Sequence, residues 1–282
     1  MILLSSFVME HVVKFKWKDW KPVLILKHNE NMKTREIELF SEPIDIEIGK
    51  LSCIGFRKNG KLFPCLNKNE ISSGWQCFEC VKKDDYARCV RCDGSTCFNP
   101  EQRPGCMKND YYIYLAAFGD LLKVGMSYKH RSLQRFVEQG ADFSARIAYL
   151  KDGRVARKLE QHIVKTLNTM DRVKGTQKFD QLFKDPGVSV KNITNAIDLL
   201  KESNINYLIE PEIEDLRAFY RLENIKHHPE HMEISSGVRM KGQVVACKGN
   251  LIFLENGQGT FAINSHRLVG RMVKVNNLNI SA

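Results

Sequence analysis

The stretch YYIYLAAFGDLLKVGMS, residues 111–127, decides the reading of this chain. Two runs of β-forming residues, Tyr112–Ala116 and Leu121–Val124, flank Phe118-Gly119-Asp120. A Gly-Asp pair between such runs is hairpin chemistry, because glycine accepts the positive φ that a tight two-residue turn needs. Downstream, Leu133, Phe136 and Val137 mark one face of a helix that ends near Gly140, and ARIAYL at 145–150 reads as a third strand. Residues 152–167 read as a second helix, with Val155, Leu159, Ile163 and Leu167 spaced four apart toward a core. Hairpin, helix, strand, helix predicts a small αβ core.

The charge of the chain gathers on that core. Across 282 residues, 43 Lys+Arg stand against 33 Asp+Glu, a net charge of +10. Residues 107–184 alone hold 15 Lys+Arg against 8 Asp+Glu. A basic excess concentrated on one segment fits a polyanionic partner, most economically DNA or RNA. It weakens the reading of an interaction protein whose charge is incidental. No apolar run approaches the roughly 20 residues of a membrane span, so no membrane partner is expected. Met1–Met9 is apolar but lacks a basic leader, and reads as a first strand rather than a signal peptide. A cytoplasmic setting follows, where thiols stay reduced and nine cysteines suggest metal before disulfides.

Eight of the nine cysteines fall within residues 51–106, a segment with few apolar runs of its own. Cys77-Cys80 and Cys89-Cys92 form C-x2-C-x8-C-x2-C, and a C-x-x-C turn aims two thiolates at one ion with little loop strain. In chain order, Cys53, Cys65, Cys77 and Cys80 would saturate one zinc ion, and Cys89, Cys92, Cys97 and Cys106 a second. The alternative is a single site built from the two C-x-x-C turns. Four-thiolate sites leave no position open for water, so the expected role is structural. Lys82, Lys83, Arg88 and Arg91 beside the turns either touch nucleic acid or are simply solvated, and Cys247 reads as a small buried residue.

The remaining segments complete an α+β organisation: a small N-terminal β-domain (1–50), a zinc-binding cysteine module (51–106), the αβ core (107–185), a helical segment and linker (186–234) and a small C-terminal β-barrel-like domain (235–282). The strands expected at the two ends are HVVKFKW, PVLILKH, REIELF and PIDIEIG, then GVRMKGQVVAC, NLIFLE, GTFAIN and GRMVKVNNLNI. Residues 188–226 look helical with a break at Glu210-Pro211, and KHHPEHME at 226–233 reads as a polar linker.

Tyr112-Ile113-Tyr114 on one strand, Lys123-Val124-Gly125 on the next, Arg135 on the first helix and Glu160 in ARKLEQHI on the second resemble the GIY-YIG endonuclease superfamily. The resemblance is to its phage-type branch, whose second motif reads Lys-Ile-Gly. With the cysteine block and RFVEQGAD, the ordered set is also similar to an uncharacterised family of archaeal and bacterial proteins known only as a domain of unknown function, above all over residues 40–170. The resemblance implies a GIY-YIG-like core and a metal-dependent phosphodiesterase acting on DNA or RNA. Hydrolysis of a phosphodiester needs an activated water, a metal to polarise the phosphate and positive charge for the developing oxyanions. By that resemblance Glu160 would hold Mg²⁺ or Mn²⁺, Arg135 would grip the phosphate, and Tyr112 or Tyr114 would orient or deprotonate the water. Lys123 would add charge and His162 would relay a proton. Arg131 and Arg157 join Lys123 and Arg135 as expected nucleic-acid contacts.

Two departures stand out: Tyr112 occupies the place of a glycine, and the asparagine many active members carry toward the C-terminal end is missing. The alternative is therefore a protein that binds tRNA or another structured RNA without cutting it, or an RNA-processing or modification factor. A cutting enzyme should bring Tyr114, Lys123, Arg135 and Glu160 to one cleft. Pairing of Glu160 to an arginine without an opening favours binding alone. Oligomeric state is not legible.

Overall fold

The computed structural model of the chain describes residues 9–28 and 33–276. The first-strand reading of residues 1–8 and the end of the last expected strand, past 276, lie outside them. The chain divides into two compact units, Met1–Asp84 together with Arg221–Ala282, and Asp85–Tyr220.

The first unit begins with strands β1 (Met9–Lys18), β2 (Lys21–His28), β3 (Thr34–Glu38) and β4 (Ile44–Leu51). Each follows an apolar run of the sequence, and the runs bury Val12, Trp17, Leu24, Leu26, Ile46 and Ile48. β1 and β2 join through Asp19-Trp20, both at positive φ (48° and 64°), the backbone of a tight primed hairpin turn without its usual glycine. A short hairpin, β5 (Phe56–Lys58) and β6 (Lys61–Phe63), lies between Cys53 and Cys65, and helix α1 (Phe78–Lys83) follows Cys77 and contains Cys80.

The second unit holds α2 (Arg103–Lys108), β7 (Asp110–Phe118), β8 (Leu121–Tyr128), α3 (Ser132–Gln139), β9 (Phe143–Lys151), α4 (Gly153–Thr166), α5 (Gly175–Asp180), α6 (Pro186–Glu202) and β10 (Ile213–Asp215). The expected hairpin, helix, strand, helix order is present. Its sheet runs β10-β9-β7-β8, with β7 antiparallel to both neighbours. Gly119 turns the hairpin at φ 55°, with Phe118 opposite Leu121. Ile113, Leu115, Val124, Ile147, Ala156, Ile163, Ile193 and Leu200 form the core. Of the expected inward face of α4, Ile163 is buried and Leu159 and Leu167 pack against the same core, while Val155 is 41% exposed. Ala156 and Glu160 are buried beside them, so the inward face is broader than the apolar count and includes a carboxylate. Of the region 188–226 expected to be helical with a break at Glu210-Pro211, α6 fills the first part, and the only helix after the break is two single 3-10 turns, Arg217–Phe219 and Leu222–Asn224. α6 stops where the Ser203 hydroxyl donates to the Leu200 carbonyl at 2.6 Å.

Beyond Tyr220 the chain returns to the first unit with β11 (Glu230–His231), β12 (Arg239–Lys248), β13 (Leu251–Asn256), β14 (Gly259–Asn264) and β15 (Arg271–Val275). β11 lies within the expected linker and pairs in parallel with β14. The nine strands form one open sheet, ordered β11-β14-β13-β12-β4-β15-β1-β2-β3. No closed barrel forms among the described residues, which corrects the C-terminal barrel expected from the sequence. The reason is pairing: Arg239–Gly242 of β12 ladders onto Ile44–Glu47 of β4, and β15 inserts between β1 and β4. Strands that could have closed on themselves complete the sheet begun by the N-terminal strands.

Candidate functional site

Cys53, Cys65, Cys77 and Cys80 bring their sulfurs within 4.8 Å of one another. Three of them are buried. A tetrahedral ion with bonds of about 2.3 Å to sulfur would hold its ligands about 3.8 Å apart, and the Cys65–Cys77 separation is 3.9 Å. Burial pushes the Cys53 thiol up, and the backbone N–H groups of Cys77 and Gly55, which donate to its sulfur at 3.2 and 3.4 Å, oppose the rise. Burial pushes the Cys77 thiol up, but hydrogen bonds from the Asn69 side chain and the Cys80 backbone outweigh it and bring Cys77 down to about 6. The set is compatible with one structural zinc, filled by protein ligands. It corrects the alternative in which Cys77 and Cys80 pair with Cys89 and Cys92.

The hairpin of the second unit builds the other site. Tyr114 faces Gly125 across the β7–β8 ladder, and a Cβ on Gly125 would lie 2.6 Å from the Tyr114 ring. The glycine that closes the Lys-Val-Gly motif therefore makes room for a tyrosine lying over its strand. Tyr114 is 1% exposed and its ring packs on Phe136 of α3 at 4.7 Å. Burial pushes its hydroxyl's pKa up, against the attraction of Arg135, which hydrogen-bonds it. Lys123 lies on the same sheet face two residues from Gly125, and its Nζ donates to Gln139 Oε1 at 2.9 Å. Burial, reinforced by the charge of Arg135, lowers Lys123 to about 8 although Glu160 and Asp171 pull it up. Glu160 is 2% exposed and ion-paired to Arg157 one turn earlier on α4. Burial raises its pKa, and Arg157 and Lys123 oppose the rise. Tyr114, Lys123, Arg135, Arg157 and Glu160 thus form one electrostatic cluster.

A cavity of about 460 Å³ adjoins this cluster, and Arg135 and Arg157 belong to both. Arg88, Arg103, Arg131 and Arg154 also line it, and no carboxylate does. Its wall includes Cys89, Cys92, Cys97 and Cys106. No three of these sulfurs lie within 4.8 Å of one another, so this quartet is more open than the first. Donors nevertheless address it: Asn99 Nδ2 reaches Cys89 Sγ at 3.4 Å and Arg103 reaches Cys106 Sγ at 3.6 Å. Arg103 is held by Asp152, with one bond at 2.6 Å, and Arg154 donates to the Gly94 carbonyl at 2.9 Å.

Not every expected residue joins the cluster. Tyr112 shares the sheet face of Tyr114, but its ring meets Tyr149 at 5.7 Å and the Arg146 guanidinium at 5.5 Å. His162 sits on the exposed face of α4. Arg131 lines the cavity while pairing with Glu138 at 3.0 Å. Glu160 does not fit a hydrated Mg²⁺ or Mn²⁺: such an ion keeps several waters, and this carboxylate is sealed and already paired. Of the cavity arginines, sequence reasoning weighed Arg88 as a possible nucleic-acid contact but missed Arg103 and Arg154. The available signal was glycine. A Cβ on Gly94 would strike the α4 backbone at 2.5 Å, and one on Gly153 the Tyr111 ring at 2.7 Å, so both mark where the cysteine segment or the hairpin closes on α4.

A family described as "Protein of unknown function (DUF2797)" matches residues 43–273 of the chain, which therefore belongs to it. No curated protein and no solved structure matches the chain significantly. No helix among the described residues is long and apolar enough to cross a membrane.

Proposed function

We propose that residues 85–220 bind nucleic acid through backbone phosphate, without cutting it. One observation carries this reading: six arginines and no carboxylate line a single cavity. Guanidinium groups present planar forks of donors that match phosphate oxygens, and although Asp152, Glu138 and Glu160 pair with Arg103, Arg131 and Arg157 from behind, no carboxylate reaches the wall to repel an anion. Arg135 joins the cavity to the buried cluster and holds Glu138 only loosely, at 3.7 Å, which leaves its guanidinium able to turn to a phosphate. The chain's basic excess supports the same partner, DNA or RNA. Two structural zinc ions complete the reading. Cys53, Cys65, Cys77 and Cys80 hold one; Cys89, Cys92, Cys97 and Cys106, spaced more widely, would have to move closer to hold the other.

The convergence of Tyr114, Lys123, Arg135 and Glu160 favours a second reading, an endonuclease of the GIY-YIG type. It requires Arg157 to release Glu160 before a catalytic cation could bind there, whereas the binding reading uses Arg157 as it stands. Incubation with end-labelled RNA and DNA oligonucleotides, with and without Mn²⁺, separates the two. Binding predicts retention of full-length strands under both conditions. Mn²⁺-dependent shortening that Glu160→Gln abolishes would establish cutting, and retention of neither nucleic acid would overturn both readings.

A further inference from the structure

The cavity wall has two chemistries. One part is the guanidinium cluster of Arg131, Arg135 and Arg157. The other is aromatic: Tyr86 and Phe98 belong to the same wall, and they are 44% and 52% exposed. Half-exposed rings in the wall of a basic cavity offer a flat face on which a base can stack. A nucleotide has that double character, an anionic phosphate on one side and a flat base on the other. A stretch of duplex does not offer it, because its bases are stacked inward and must be extruded before a pocket can hold them. The cavity volume, about 460 Å³, is that of a small-molecule site. Gln102 lies in the same wall and adds an amide donor and acceptor suited to a base edge.

We propose that this cavity takes a single unpaired nucleotide, with the phosphate on Arg131, Arg135 and Arg157 and the base against Tyr86 and Phe98. The proposal rests on the phosphate-binding reading above and narrows it. The strand that fits is one with an unpaired or terminal nucleotide, a loop or an end rather than an unbroken duplex.

The test is calorimetry on the full, zinc-loaded chain with three probes: a nucleoside 5′-monophosphate, the same nucleoside without phosphate, and inorganic phosphate. The expected result is one monophosphate per chain, at least about tenfold tighter than either fragment. Phe98→Ala should weaken the monophosphate by about tenfold, within what one stacked base contributes, and leave inorganic phosphate unchanged. Phe98→Tyr should restore the affinity. Phe98 is half-exposed, so its truncation is not expected to unfold the unit. A monophosphate that binds no tighter than inorganic phosphate, or a Phe98→Ala variant equal to wild type, would overturn the proposal. If oligonucleotides still bind in that case, the phosphate-binding reading stands and only the nucleotide assignment fails. If no probe and no oligonucleotide binds, both fail together.

Discussion

The two cysteine quartets offer the same four thiols, each with one C-x-x-C turn, yet the fold treats them differently. Cys53, Cys65, Cys77 and Cys80 close on one another inside a small module, with backbone N–H groups aimed at sulfur. Cys89, Cys92, Cys97 and Cys106 spread along the wall of an arginine-lined cavity. The first quartet is occupied with holding its own segment together. The second stands beside groups able to meet an anion, so any ion it holds shapes a binding wall as well as a fold. We propose that identical ligand chemistry takes two roles here, decided by what surrounds the sulfurs.

The largest expected effect falls on the closed quartet. Structural zinc contributes folding free energy on the order of 10 kcal/mol in small modules. Cys80→Ser should therefore lower the zinc content by one ion per chain and remove hydrogen-exchange protection from residues 51–83. Cys97→Ser should disturb oligonucleotide binding more than it disturbs that module. Elemental analysis and exchange on both variants read this directly, and equal behaviour would erase the distinction between the quartets.

The next effect probes the cluster behind the cavity. Removing one partner of a buried ion pair strands the other, at a cost of about 3–5 kcal/mol. Arg157→Ala should destabilise the second unit by about that amount. Glu160→Gln in the same chain should recover most of it, because the stranded charge is gone. Urea denaturation of the two variants checks this, and a loss below about 1 kcal/mol would mean that Glu160 is not sealed as described.

A smaller, pH-dependent effect comes from Lys123. Burial, with Arg135, lowers its folded pKa to about 8, below the unfolded value of 10.5. Between those values the unfolded chain binds more protons than the folded one, so stability rises with pH from about 8 to 10.5 and the penalty is fully present below 8. Integrated over that window the difference is about 3 kcal/mol. Lys123→Met should remove this rise, and the difference between wild-type and variant stability curves isolates it from the titration of cysteines and tyrosines. Parallel curves would contradict the burial of the ammonium group.

Much of this was legible in the sequence. Gly119-Asp120 announced the hairpin, and the Gly125 that ends Lys-Val-Gly is the residue that admits the Tyr114 ring. Cysteines grouped in chain order anticipated the closed quartet. What escaped was non-local. The Arg239–Asp45 ion pair ties strands whose residues lie 194 apart in the chain, and nothing local in either strand announces the partner. The inward turn of Glu160 escaped for a different reason. A carboxylate counts as polar in any periodicity, and only Arg157 and Lys123 in space make its burial tolerable. His162, two residues on, was drawn toward the site by proximity in sequence, while helical geometry placed it outward.

The central claim is that the arginine cavity meets phosphate, and the salt dependence of oligonucleotide affinity tests it most directly. Each neutralised phosphate releases counterions, so log K falls linearly with log salt, by about 0.7–0.9 for each contact. Fluorescence anisotropy with an RNA and a DNA oligonucleotide should show a steep slope for the wild-type chain, and Arg135→Ala should flatten it by about one unit. A slope that Arg135→Ala leaves unchanged, or binding indifferent to salt, would contradict the account.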